Sequence, residues 1–199
     1  MNHQLLAEEG KAIRDPVWGY IHVPDPVLAL IDTEDFQRLR NITQLGYVHL
    51  VYPGARHSRF EHSLGVYHLA KQFLTRLLDS DPPLELGEED VRVFIAATLL
   101  HDIGHYPFSH TLEELMPFFV LHEERARQII EDRDGAIYQV LKESFQIDPV
   151  RVANVIDYKN KDREVPAADL LLANILSGTL DPDKIDYLLR DSMFCGVPF

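Results

Sequence analysis

The chain has 199 residues, a length typical of one domain, and 46% of them are hydrophobic, which is enough to form a core. No apolar run approaches the roughly 20 residues of a membrane span, and the N-terminus does not resemble a signal peptide, so we expect a cytoplasmic protein without a membrane partner. The net charge of −13 disfavours a general nucleic-acid surface, and the single cysteine excludes an internal disulfide.

The charge is unevenly distributed along the chain. Residues 36–60 contain four arginines and no acidic residue, whereas residues 79–90 contain six acidic residues and no base. A basic segment in an acidic protein is typical of a local anion site. The alternative interpretation is a solvated helix face.

The first half of the chain predicts a small hairpin followed by helices. A loose lead-in over residues 1–14 precedes β-branched and aromatic residues between two prolines at 15–24, a pattern that fits a hairpin. Helix-capping residues and helical spacing of apolar residues then predict elements in this order: a short helix from Asp25, a helix from Asp32 to Gly46, a loop over 47–58, a helix over 59–78, an acidic loop over 79–87 and a helix from about Glu88.

The second half continues as helices without a strand–helix alternation. Helical spacing predicts helices over residues 109–116, 121–132, 135–143, 149–158, 167–176 and 182–194. The sequence therefore predicts a mostly α fold in one domain over residues 1–199, with the lead-in and hairpin in 1–24 and a helical catalytic core in 25–199.

A His-Asp pair at the end of an apolar run carries the first chemical signal. His101 and Asp102 offer one metal a neutral nitrogen and an anionic oxygen from a short stretch of backbone, but two ligands cannot hold a metal alone. His62 and Asp183 could supply the others, although spacing cannot show that Asp183 joins them. Such a mixed nitrogen and oxygen site suits a divalent ion other than Ca²⁺, with Mn, Fe, Zn, Ni and Mg left open.

These residues resemble the H…HD…D signature of the HD-domain phosphohydrolases. Further segments look like the SAMHD1-like branch of that family, whose members are deoxynucleoside triphosphate triphosphohydrolases. The segments that carry this resemblance lie at residues 32–40, 44–46, 52–55, 57–66, 101–110 and 181–191. The resemblance implies a helical HD-domain bundle that hydrolyses dNTPs to a deoxynucleoside and tripolyphosphate.

The resemblance also implies a role for each matching residue. The implied metal ligands are His62, His101, Asp102 and Asp183. The implied catalytic residues are Arg59, His105, His110 and Glu113, with His110 as the proton donor oriented by Glu113. The implied substrate-binding residues are Gln44, His122, Lys184, Tyr187 and Asp191.

Regulation and assembly are further expectations from the same resemblance. A nucleotide effector would meet Lys11, Asp32, Gln37 and Arg40, and the protein would form a homo-oligomer. Members of the branch continue past the Asp183 helix, so the chain is short at its C-terminus by comparison. We therefore expect relaxed base selectivity and modest activity.

Two other functions stay open at this stage. An HD phosphohydrolase could act on nucleoside monophosphates or other phosphomonoesters, and a non-catalytic module could bind nucleotides or single-stranded nucleic acid. The pair His105 and His110 beside the ligands favours catalysis, because a structural metal needs no extra proton carriers. We expect His49, His57 and His68 to be structural or surface residues.

Overall fold

The structure is a computed structural model and describes residues 4–6, 9–108, 112, 118–160 and 162–198. The predicted helix over 109–116 falls almost entirely outside the described residues, and so do His110 and Glu113.

The N-terminal hairpin consists of β1 (Lys11–Asp15) and β2 (Gly19–Val23), which pair antiparallel, with Lys11 opposite Val23. The hairpin was predicted, but its first strand lies mostly in the segment expected to be a loose lead-in. The prediction of a loose lead-in was therefore wrong for this strand. The sequence gives no strand signal there, because β1 is largely exposed and its residues show no alternation of apolar and polar side chains. Asp15, its last residue, is buried, and its carboxylate accepts the backbone N–H groups of Val17 and Trp18 at 2.9 Å.

Helices make up most of the remaining chain, as predicted. Their bounds are α1 (Asp25–Ile31), α2 (Glu34–Arg38), α3 (Arg59–Leu78), α4 (Glu88–Leu100), α5 (His122–Glu131), α6 (Ala136–Glu143), α7 (Pro149–Ile156), α8 (Ala167–Leu176) and α9 (Pro182–Cys195). Short 3-10 turns occupy Gln4–Leu6, Leu39–Asn41 and Gly46–Leu50. The bounds of α3 to α9 lie close to the predicted ones, and the mostly α fold with a small hairpin is confirmed.

The helix predicted from Asp32 to Gly46 is much shorter in the structure. It ends at Arg38 because the chain turns and then pairs with the segment before α3. Thr43 forms an isolated antiparallel bridge with Ser58, and the Gln44 N–H donates to the His57 carbonyl at 3.0 Å. This pairing places Gln44 beside the start of α3, where two of the predicted site residues lie.

Helix α3 is central to the fold because it packs against both α4 and α9, and α4 in turn packs against α7 and α8. Its N-terminus is stabilised by Glu61, whose carboxylate accepts the Ser58 backbone N–H at 2.6 Å and the Ser58 hydroxyl at 3.0 Å. One hydrophobic cluster extends from β2 to α8 and includes the fully buried Tyr67 and Phe94. None of the helices in the described part of the chain combines the length and apolar character needed to cross a membrane.

Candidate metal and catalytic site

The four predicted metal ligands meet where α3, the turn after α4 and the first turn of α9 come together. His62 Nε2 lies 3.3 Å from His101 Nε2 and 3.0 Å from Asp183 Oδ1. His101 Nε2 lies 3.5 Å from Asp102 Oδ1. One ligand atom from each of His62, His101 and Asp102 fits within a mutual distance of 4.8 Å. The sequence could not show that Asp183 joins this cluster, and packing of α9 on α3 brings it there.

The arrangement of the donors fits one divalent ion. Nδ1 of His101 lies 2.9 Å from the Thr98 carbonyl, which can only accept, so this nitrogen carries the ring proton. Nδ1 of His62 faces the Asp186 carboxylate at 2.8 Å. With Nε2 deprotonated, rings held in this way would direct both Nε2 lone pairs into the cluster. Ligands bound at about 2.0–2.2 Å around one ion lie roughly 3–3.5 Å apart. The three distances given above fall in that range, whereas His101 Nε2 lies 3.9 Å from Asp183 Oδ1.

Without a metal, charge pairing dominates the cluster. Burial alone would lower the pKa of His62, but its hydrogen bonds to Asp183 and Asp186 raise it to about 10. Burial alone would raise the pKa of Asp102, yet Arg59 and the neighbouring histidines hold it well below its usual range. The pKa of Asp183 is lowered too, because the hydrogen bond from His62 outweighs its burial. The carboxylates are therefore ionised, ready to bind a cation.

Three further predicted site residues surround the cluster. Arg59 Nη1 pairs with Asp102 Oδ2 at 2.6 Å, and His105 Nε2 lies 3.2 Å from Asp102 Oδ1. The rings of His105 and His122 stack with their centroids 3.9 Å apart. Burial lowers the pKa of His105 to about 4, more than Asp102 can offset. His105 is therefore a neutral imidazole at physiological pH.

The cluster opens into a cavity of about 780 Å³, a size typical of ligand pockets. Its wall contains every predicted metal and substrate-binding residue together with Arg59 and His105. Gln44 Oε1 is buried there without a hydrogen-bond partner among the described residues. A buried amide oxygen at the cavity wall can accept a hydrogen bond from a polar ligand.

Lys184, one of the implied substrate-binding residues, contacts groups of its own chain. Its Nζ binds the Asp181 carboxylate and the Gly178 carbonyl, the latter at 2.7 Å. The hydrogen bond to Asp181 raises its pKa, so the ammonium stays charged, but it is already engaged at the cavity wall.

Sequence reasoning missed several residues of the site. Asp186 binds His62, and its position three residues after Asp183, on the same helix, was the available signal. His57 is buried, in agreement with the structural alternative, but its partner was not predicted: its Nε2 lies 2.7 Å from Asp191 Oδ1. No local signal could have found that pair, because the two residues come from distant parts of the chain.

Three of the four arginines in the basic segment over residues 36–60 contact other groups of the protein. Arg38 donates to the carbonyls of Ile103 and His105, the latter at 2.9 Å, and therefore fixes the turn that follows the His-Asp pair. The guanidinium of Arg40 lies 3.5 Å from the centre of the Phe60 ring. The local anion site expected of this segment stays a prediction, with Arg59 at the cavity wall.

The predicted effector residues lie apart from the cavity. Lys11, Asp32 and Arg40 are exposed, and Gln37 donates to the Ile31 carbonyl at 2.8 Å and accepts from Arg40 at 2.7 Å. Their proposed role in binding an effector stays a prediction.

A helical bundle with a His–His–Asp cluster at the junction of two of its helices is typical of a metal-binding hydrolase domain. The sequence matches the HD domain family over residues 59–189, which is most of the chain. The chain therefore belongs to the HD-domain family.

Individual relatives are similar over nearly the whole chain. Uncharacterized protein YwfO of Bacillus subtilis is 41% identical over 98% of this chain and 42% of its own length. Deoxynucleoside triphosphate triphosphohydrolase SAMHD1 of Homo sapiens is 46% identical over 98% of this chain and 35% of its own length. A crystal structure of a phosphohydrolase from Bacteroides thetaiotaomicron matches with a TM-score of 0.72 and 34% identity, over 94% of this chain and 43% of that one. The chain thus spans less than half the length of these relatives.

Proposed function

We propose that this chain is the catalytic part of a metal-dependent phosphohydrolase that converts dNTPs to a deoxynucleoside and tripolyphosphate. The observation that carries the proposal is the cavity, whose wall combines the four metal-ligand candidates with Arg59 and stacked His105 and His122. The 46% identity to a deoxynucleoside triphosphate triphosphohydrolase supports this substrate class.

A divalent ion bound by the cluster would supply a Lewis acid for a phosphate oxygen and would lower the pKa of a water molecule. The carboxylates of Asp102 and Asp183 supply negative charge that attracts the ion to the cluster. Asp102 also orients Arg59 and His105 through direct contacts. The permanent charge of Arg59 at the cavity wall stabilises negative charge that develops on the phosphoryl group. His105, neutral and buried, presents a hydrogen-bonding ring without adding charge.

Proton transfer to the leaving 5′ oxygen is assigned to His110, oriented by Glu113. This assignment rests on the family resemblance alone, because both residues lie outside the described part of the chain.

The rest of the cavity wall suits the nucleoside. The buried amide oxygen of Gln44 can accept a hydrogen bond from a sugar hydroxyl, and so can the carboxylate of Asp191, which His57 holds in place. Tyr187 lies one helical turn before Asp191 and one after Asp183, so it bridges the metal ligands and the sugar site.

The test is product analysis with each of the four dNTPs and Mn²⁺, with and without GTP, followed by anion exchange. We expect deoxynucleoside and tripolyphosphate. Stimulation by GTP would support the effector site at Lys11, Asp32, Gln37 and Arg40. Orthophosphate, or turnover of monophosphates only, would replace the proposal with a phosphomonoesterase. Metal binding without any product would favour a nucleotide-binding module.

A further inference from the structure

A buried carboxylate lies directly behind the metal cluster. Asp186, on α9, has no solvent exposure, and its Oδ2 lies 2.8 Å from Nδ1 of His62. This contact is on the far side of the imidazole ring from Nε2, the nitrogen that faces His101 and Asp183.

Asp186 is itself held on both of its oxygens. Arg190, one turn further along α9, donates Nε to Oδ2 and Nη2 to Oδ1, each at 2.9 Å. The indole N–H of Trp18 also donates to Oδ1. Arg190 is fully buried, so these bonds form away from water, where a charged pair with matched geometry is strong.

The same arginine connects the site to the N-terminal hairpin. Arg190 Nη1 donates to Asp15 Oδ2 at 2.9 Å, while Asp15 Oδ1 accepts the backbone N–H groups of the hairpin turn. Two carboxylates from distant parts of the chain therefore share one buried guanidinium.

Helix α3 leaves room for this network at Gly65. A Cβ added there would lie 1.8 Å from Asp186 Oδ1 and 2.5 Å from Arg190 Nη2. Since no side chain fits in that space, Gly65 allows the carboxylate to approach α3 closely enough to reach His62.

We propose that Asp186 is a positioning residue that fixes His62 with its proton on Nδ1 and its Nε2 lone pair toward the metal, and that Arg190, Trp18 and Asp15 hold Asp186 in that position. A ring nitrogen that binds a metal commonly depends on such a bond from the other nitrogen, and loss of the outer partner costs about 10- to 100-fold in affinity. The hairpin turn is then a component of the metal site rather than only a cover for α3. This inference rests on the proposed function only in that the cluster binds a metal.

The test compares Asp186→Asn with Asp15→Asn by titration with Co²⁺, followed through the visible absorption of the bound ion. Both substitutions remove one of the two carboxylates that pair with Arg190, but only Asp186 touches His62. We expect Co²⁺ affinity to fall about 10- to 100-fold in Asp186→Asn and by a smaller factor in Asp15→Asn, because Asp15 acts on His62 only through Arg190 and Asp186. Equal losses in the two variants, or no loss in Asp186→Asn, would overturn the proposal.

Two measurements keep the proposal testable if Asp186→Asn does not fold. Gly65→Ala should displace the Asp186 carboxylate while every charge is retained, and we expect it to weaken Co²⁺ binding as well. In the unsubstituted, Zn²⁺-loaded protein, ¹⁵N shifts of the His62 ring should show a protonated Nδ1, and an unprotonated Nδ1 would contradict the proposal. These readouts need no substrate, so a protein that passes them but hydrolyses no dNTP would refute only the proposed function.

Discussion

At the scale of single residues, Asp102 has more contacts than a metal ligand alone would need. Its two oxygens lie 2.6 Å from Arg59, 3.2 Å from His105 and 3.5 Å from His101. In the proposed site, Asp102 would therefore both contribute a metal ligand and orient Arg59 and His105 beside the metal.

Substitution of Asp102 by alanine should remove the bound metal and reduce dNTP turnover by at least about 100-fold, more than loss of an outer-shell partner. Asp169→Ala is the matched control, because Asp169 is as deeply buried and accepts from Arg151 at 2.9 Å outside the cavity. We expect the control to lower stability but to keep the metal. Metal analysis and dNTP turnover of both variants make the comparison. Full turnover in Asp102→Ala with unchanged metal content would show that Asp102 is not a metal ligand.

The ionisation of His62 predicts how metal binding depends on pH. In the metal-free protein its pKa is raised to about 10, since the hydrogen bonds to Asp183 and Asp186 outweigh burial. The metal must displace a proton from His62 at any pH below that value, so apparent affinity should rise with pH up to about 10. Calorimetric titration with Mn²⁺ at pH 7.5, repeated in buffers of different ionisation enthalpy, should reveal the release of about one proton. Binding without proton release would show that His62 is neutral before the metal arrives.

At the scale of elements, α9 has to be held in place for the site to exist, because it carries Asp183, Asp186 and Asp191. Its N-cap is Asp181, which is fully buried and accepts the Lys184 backbone N–H at 2.7 Å. The cap therefore determines where the first turn, and with it Asp183, begins.

Asp181→Ala should lower the free energy of unfolding by about 1–2 kcal/mol through loss of the cap and should also weaken metal binding. Asp148→Ala removes the corresponding N-cap of α7, where Asp148 accepts the Val150 N–H at 3.1 Å. Since α7 contributes no metal ligand, we expect a similar loss of stability with unchanged metal affinity. Urea unfolding and metal titration of both variants make the comparison, and equal effects on metal affinity would contradict a specific role for the α9 cap.

Elements with strong local signals could be predicted from the sequence. The capped starts of α3 and α9 and the acidic first turn of α4 lie close to their predicted positions. The start of β1 and the end of α2 could not, because pairing with distant backbone at Val23 and Ser58 determines them.

At the scale of the whole molecule, the site could be predicted only in part, for a related reason. His101 and Asp102 are neighbours in sequence, so their joint role was visible, and the family resemblance supplied His62 and Asp183. The supporting contacts join residues far apart in the chain, such as Asp15 with Arg190 and His57 with Asp191. Each of these residues is an ordinary polar residue in its local sequence, and only the packing of the hairpin and the loop before α3 against α9 gives it a role.

In the proposed function, one divalent ion bound by this cluster is required for hydrolysis. The most direct test is to strip the protein of metal, load it with zero to two equivalents of Mn²⁺, remove free ion and measure bound Mn²⁺ and dNTP turnover on the same samples. We expect turnover to rise in proportion to bound Mn²⁺ and to stop rising at one ion per chain. Turnover by the metal-free protein, or turnover that does not follow the bound ion, would contradict it.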